Sequence, residues 1–285
     1  LYYATTGAKN TAVGSMAVRG TTTGCKNTGI GYQAMIFNTE GILNTASGAY
    51  ALYANTTASN NTADGVSALQ QTTTGSCNTG LGRGAGYSNT TGNNNTYVGI
   101  FAGCANTTSS YNVGVGRMAL CGATGALNTA VGNRALQYST GGCNTALGTS
   151  VLGSNTSGTK NTASGMYALL DNTTASNNTA SGYRALKSNT TASGNTAVGA
   201  CAVFTNTTGA SLVGVGYQAL AANTTGIRNT ALGVYSQRYD KAGEKVGVET
   251  LVNTTTEGSQ LSPEITALDN GGYVVVWQGE ELNKE

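Results

Sequence analysis

The chain of 285 residues has no histidine, one proline, one tryptophan and three phenylalanines, and only 9% of its residues are charged. Without histidine, acid–base chemistry near neutral pH loses the side chain that most often performs it. None of the six cysteines forms a CxxC pair, so the usual zinc spacing is missing. No apolar run approaches the length of a membrane span, and there is neither a signal-peptide pattern nor an initiator methionine. Glycine is abundant, yet no glycine-rich stretch carries the lysine of a phosphate loop. No catalytic dyad or triad stands out, and a non-enzymatic protein is expected.

What the chain has instead is one phrase, NTxxG, repeated. It starts at Asn10, Asn27, Asn44, Asn61, Asn78, Asn95, Asn112, Asn128, Asn144, Asn161, Asn178, Asn195, Leu212 and Asn229. The period is 17, with two steps of 16, and the register continues through Leu212 and Val113, where the phrase itself decays. A short fixed period implies a unit that cannot bury its apolar face alone and must stack on copies of itself. Gly, Asn and Thr oppose helix. The expected fold is therefore all-β, a parallel β-solenoid of 17-residue coils. Each residue stacks on its equivalent one strand spacing away, about 4.8 Å.

Numbering each repeat from its first Asn, positions 3 and 8 are mostly Ala (Ala12, Ala46, Ala163, Ala197; Ala17, Ala34, Ala51, Ala219) and position 9 mostly Leu. These form a thin core. Position 5 is glycine in every copy: Gly14, Gly31, Gly48, Gly65, Gly82, Gly99, Gly116, Gly132, Gly148, Gly165, Gly182, Gly199, Gly216 and Gly233. The coil is expected to need a positive φ or a close backbone approach there. Positions 12–15 read NTTG at their fullest, as in Asn206–Gly209, which is turn chemistry. Two corners and at least two short strands per coil are expected, with Asn and Thr ladders that satisfy one another.

Residues 1–239 make a solenoid of about fourteen full coils after a partial one, since LYYATTGAK matches positions 9–17; the supplied chain thus starts midway round a coil. At 4.8 Å per coil the rod is on the order of 70 Å long. Near Asp240 the grammar changes to an acidic, β-rich segment, 240–285, read as a cap, a donor strand or the start of a second domain. Residues 1–239 hold eleven bases and three acids, a net of +8; residues 240–285 hold three bases and nine acids, a net of −6. Solvated faces are the ordinary reading of such an asymmetry; head-to-tail association or an anionic polysaccharide partner is the alternative it opens.

Cys104 and Cys121 share position 10 in adjacent coils, within disulfide reach, whereas Cys25, Cys77, Cys143 and Cys201 lie too far apart to pair with one another. NxT/S sequons recur at Asn55, Asn89, Asn106, Asn172, Asn189, Asn206 and Asn223, where the turn already demands Asn. Thr11, Thr28, Thr45, Thr62, Thr79 and Thr96 form a line that could order water in an ice-binding solenoid, but they sit beside Asn at expected corners. Tyr32, Tyr50, Tyr53, Tyr138, Tyr167, Tyr183, Tyr217 and Tyr235 fall at positions 6, 7, 10 and 11, suited to sugars or to a neighbouring subunit. Asp64 replaces an aliphatic residue at position 4, where a buried carboxylate would mark an ion site or a hydrogen-bonded structural Asp.

The phrase NTAVG...AL..NTTG resembles the head repeats of trimeric autotransporter adhesins, and those of phage tail-fibre and bacterial surface proteins, across residues 1–239. That resemblance implies a left-handed β-roll. Residues 248–278 are similar to a module of large secreted repeats-in-toxin adhesins through Pro263, Leu268, Gly271, Gly272, Val274, Val275, Val276 and Trp277. That similarity implies calcium as a possible cofactor, although the calcium nonapeptide GGxGxDxxx is absent here. Both resemblances imply an extracellular protein.

The resulting expectation is a secreted structural or adhesive fibre protein without catalysis, cofactor, nucleic-acid partner or membrane span. It would polymerise head to tail through Leu1, Tyr2 and Tyr3 at one end and Tyr273, Val274, Val275, Val276 and Trp277 at the other. The alternative is a homotrimeric adhesin head or tail-fibre shaft binding a surface glycan. That arrangement needs an apolar outer face, for which the tyrosines are the sequence's candidate.

Overall fold

The structure, a computed structural model, describes residues 5–232 and, beyond them, the backbones of four strands. The chain divides into two compact units, Leu1–Lys160 and Asn161–Glu285. In the first, nine three-residue strands stack in parallel: β1 (Thr11–Val13), β2 (Thr28–Ile30), β3 (Thr45–Ser47), β4 (Thr62–Asp64), β5 (Thr79–Leu81), β6 (Thr96–Val98), β7 (Val113–Val115), β8 (Thr129–Val131) and β9 (Thr145–Leu147). In the second, β10 (Thr162–Ser164), β11 (Thr179–Ser181), β12 (Thr196–Val198), β13 (Val213–Val215) and β14 (Thr230–Leu232) do the same. Equivalent residues pair, Thr11 with Thr28 and Thr179 with Thr196 among them. Each unit carries a parallel β-solenoid.

Beyond β14 the pairing becomes antiparallel. β15 (Tyr235–Tyr239) pairs with β16 (Lys245–Leu251), and β17 (Gln260–Ala267) with β18 (Tyr273–Gly279). The segment expected to be a spare strand, Tyr273–Trp277, therefore already has one edge occupied. The boundary expected near Asp240, Leu1–Tyr3 and Gly233 lie outside the described residues.

Each coil that lies wholly within the described residues has one strand, not two. The side opposite the strand is a pair of successive turns, closed by Ala51 N–H donating to Gly48 O (3.3 Å) and Asn55 N–H to Leu52 O (3.2 Å). An extended strand is impossible there because positions 7 and 9 are left-handed: Tyr50 has φ 60° and Leu52 φ 49°. Position 17 is left-handed as well, as in Asn60 at φ 60°. Such a conformation costs an L-residue roughly 1–2 kcal/mol. Backbone bonds to neighbouring coils offset this, since Leu52 N–H reaches Ala68 O (3.0 Å) and Tyr50 N–H reaches Tyr32 O (2.9 Å).

Glycine at position 5 is explained by both expected causes together. The thirteen described copies have φ between 116° and 136°. A Cβ on Gly65 would lie 2.7 Å from the carbonyl carbon of Gly82 in the next coil. Inside, Ala46, Ala51, Leu52, Ala63, Ala68 and Leu69 are fully buried and form one cluster. Small residues at positions 3 and 8 let the strand and the turns approach closely across the coil.

The two 16-residue coils keep strand register, with Val113 opposite Thr129 and Thr129 opposite Thr145. The missing residue comes out of the corner. Elsewhere Asn at position 12 donates to a carbonyl three residues on, as Asn155 Nδ2 does to Gly158 O (2.9 Å). In the shortened coil that begins at Asn128 that carbonyl is two residues away, and the shorter Ser139 side chain reaches it, donating from Oγ to Gly141 O (3.0 Å); the coil that begins at Asn112 has Ala123 at this position.

Candidate interaction faces

The coil corner uses its asparagines internally. Asn27 Nδ2 and Asn38 Nδ2 both donate to Gly41 O, at 2.8 and 3.1 Å. Asn27 Oδ1 accepts the N–H of Asn44 (2.9 Å), whose own Oδ1 accepts the N–H of Asn61 (2.9 Å). The hydroxyls of position 13 are also taken, with Thr39 Oγ1 donating to Thr56 O (3.1 Å). Buried amides are stable only when bonded, and here the ladder supplies the partners, with Asn55 Oδ1 the exception among the described asparagines. The sequon asparagines Asn55, Asn89, Asn106, Asn172, Asn189, Asn206 and Asn223 belong to this ladder and are buried, so the folded coil offers none of these seven as a glycan acceptor.

One coil breaks the small-residue rule. Tyr97 occupies position 3 and is 1% exposed. Room for its ring comes from glycine at position 9, Gly86 and Gly103, where other coils carry Leu, Val or Met. A Cβ on Gly103 would overlap the ring, and one on Gly86 would lie 2.9 Å from it. Burial pushes the Tyr97 phenol well above its ordinary value of 10.0, and hydrogen bonds with the side chains of Asn106 and Asn112 pull partly against that shift. Because the folded value is raised, this contribution to stability is complete below pH 10 and is lost as pH climbs from there towards the folded value. Tyr97→Phe should cost about 1 kcal/mol at neutral pH through the lost hydrogen bonds. Above pH 10 the parent should lose stability faster than the variant, by up to about 1.4 kcal/mol per pH unit. Denaturant titrations of both proteins from pH 7 to 11 measure the difference, in which the remaining tyrosines cancel.

Two faces remain for partners. On the strand face, position 3 points inward and positions 2 and 4 outward, as the exposed–buried–exposed pattern of Thr62, Ala63 and Asp64 shows. The threonines at position 2 therefore lie on the strands, not at corners. Position 4 is an external aliphatic row: Val13, Ile30, Leu81, Val131 and Leu147 in the first unit, Val198 and Leu232 in the second, each between 36% and 63% exposed. Asp64 is exposed in this row, so neither the buried ion site nor the buried structural carboxylate is present. The sequence obscured this because valine at position 4 reads as core.

The turn face carries rings and cations. In the first unit Tyr32, Tyr50, Tyr53 and Phe37 meet edge to face, with successive centroid distances of 5.4, 5.8 and 5.0 Å. Arg83 lies over Phe101 at 5.3 Å. In the second, Tyr167 and Tyr183 are 6.5 Å apart, Arg184 lies over Tyr183 at 4.9 Å, and Lys187 lies over Phe204 at 5.9 Å while pairing with Asp171 at 3.0 Å.

Cys104 and Cys121 are joined in a disulfide on the turn face, with Cα atoms 4.7 Å apart, and Cys25, Cys77, Cys143 and Cys201 are free. Among the described residues no group of three His, Cys, Asp or Glu side chains is placed to hold a metal ion, and no helix is long and apolar enough to cross a membrane. No protein-family model, curated protein or solved structure matches the chain.

Proposed function

We propose that this β-solenoid is an extracellular structural and adhesive repeat protein, non-catalytic, whose copies associate side by side through the strand face. One observation carries the reading: the exposed aliphatic row at position 4, from Val13 to Leu147 in the first unit. Apart from Ser47 and Asp64, which interrupt it at the same position, the row is aliphatic; such a stretch is self-complementary to its counterpart on another copy, and removing it from water is favourable by about 25 cal/mol per Å². The resemblance to trimeric adhesin heads makes a closed trimer the expected assembly, with the aliphatic rows replacing the tyrosines as the contact. Head-to-tail polymerisation remains the second mode; it depends on Leu1–Tyr3 and on the side chains of Tyr273–Trp277, which lie outside the described residues.

Light scattering coupled to size exclusion tests the lateral contact. The parent should be a discrete oligomer, and Val131→Lys/Leu147→Lys, which places two charges in the row, should raise its dissociation constant at least about 100-fold. A monomeric parent, or an open-ended polymer indifferent to the two lysines, would overturn the reading.

A further inference from the structure

The turn face of the first unit has a charge pattern that the proposed self-association does not use. We infer that the stretch around Arg83, Arg117 and Arg134 binds an anionic polysaccharide bearing carboxylate or sulfate groups along its chain. All three arginines are exposed, and none has an ion-pair partner among the described residues. They occupy position 6 or 7 of the coils that begin at Asn78, Asn112 and Asn128. Between and beside them lie Ile100 and Tyr138, 49% and 58% exposed, and the half-buried ring of Phe101 under Arg83. Across these coils the turn face has no acid: the three acids of the solenoid are Glu40 in a corner, Asp64 on the strand face and Asp171, which is paired with Lys187.

Spacing selects the class of anion. Arg83 and Arg117 are two coils apart, about 10 Å, and all three arginines span about 14 Å along the stack. Duplex DNA presents one charge per roughly 1.7 Å, far denser than this row can match, and the apolar area between the arginines would lie idle against phosphate. A polysaccharide charged once every sugar or two presents anions at a comparable interval. Its C–H faces suit Ile100, Phe101 and Tyr138, and guanidinium forks suit its carboxylates or sulfates. The disulfide between Cys104 and Cys121 ties together the coils that carry Phe101 and Arg117, so the row is held rigid at its centre.

This inference rests on the adhesive reading for its biological sense but uses a different face, so the two fail separately. Isothermal titration against polygalacturonate, chondroitin sulfate, neutral dextran and duplex DNA tests it on the full chain. The variant is Arg117→Thr/Arg134→Ser, which installs the residues found at the same positions in the coil beginning at Asn144, Thr149 and Ser150, the latter already left-handed at φ 53°. Circular dichroism and light scattering confirm that its coils and oligomeric state are unchanged. Binding to one or both anionic polysaccharides, not to dextran, with affinity lowered at least about tenfold and a shallower salt dependence in the variant, is the expected result. Equal binding by parent and variant, no binding to either polyanion, or tighter binding to DNA than to both would overturn it.

Discussion

Replacing Asn178 by alanine should lower stability by about 3 kcal/mol, although the side chain touches no ligand and its substitution changes no charge. Asn178 is fully buried at position 1 of its coil. Its Oδ1 accepts the N–H of Asn195 (2.9 Å) and its Nδ2 donates to Ala192 O (3.0 Å). Alanine leaves the two groups unequally placed. Ala192 O keeps Asn189 Nδ2 at 2.9 Å as a second donor, whereas the Asn195 N–H loses the acceptor the ladder gives it. An orphaned buried N–H costs about 1–3 kcal/mol, and the lost amide bonds and the small void add to it. Asn178→Leu fills the void, as Leu212 does at the same position, and so separates the polar part of the loss from the cavity part. Thr179→Ala is the control: its side chain is exposed on β11, and a change within about 0.5 kcal/mol is expected. Urea titrations followed by circular dichroism give all three values. A loss at Asn178 no larger than that at Thr179 would mean that water or a shifted backbone replaces the amide, and the ladder would not be what fixes the corner.

The ladder was legible in the sequence because it obeys the period: a residue that must bond its own copy in the next coil cannot vary freely. The same logic made the glycine at position 5 and the thin alanine core readable. The second side of the coil was not. Tyr50 and Leu52 give no composition signal for a left-handed backbone, a conformation normally announced by Gly or Asn. The signal was present only at the exceptions Gly84, Gly86 and Gly103, which take φ of 63°, 62° and 59° at those same positions. The partner faces were harder still. Alternation along a three-residue strand is too short to say which side is wet, and aliphatic residues at position 4 mimic core. The arginine row is scattered in sequence and becomes a row only when coils are stacked in register.

Tyr97 and its glycines are the case where sequence comparison within the chain should have sufficed, since the one tyrosine at position 3 shares a coil with one of the two glycines at position 9 and lies directly after the other. If the ring and the vacated space are a matched pair, their substitutions must be strongly non-additive. Tyr97→Ala alone should cost about 3–5 kcal/mol, because the ring's departure leaves a void between Gly86 and Gly103 that the closely packed coils cannot collapse to fill. Gly103→Leu alone should be at least as damaging, since its Cβ would occupy the ring's own space. The triple variant Tyr97→Ala/Gly86→Leu/Gly103→Leu rebuilds the alanine and leucine arrangement of Ala63 and Leu69, both fully buried. Leucine is already accepted at this backbone geometry, with φ 48° at Leu69. Stability of the triple variant should return to within about 1 kcal/mol of the parent, a coupling larger than either single loss permits by addition. Additive losses would show that the tyrosine's hydrogen bonds with Asn106 and Asn112, and not the exchange of volume, hold this coil.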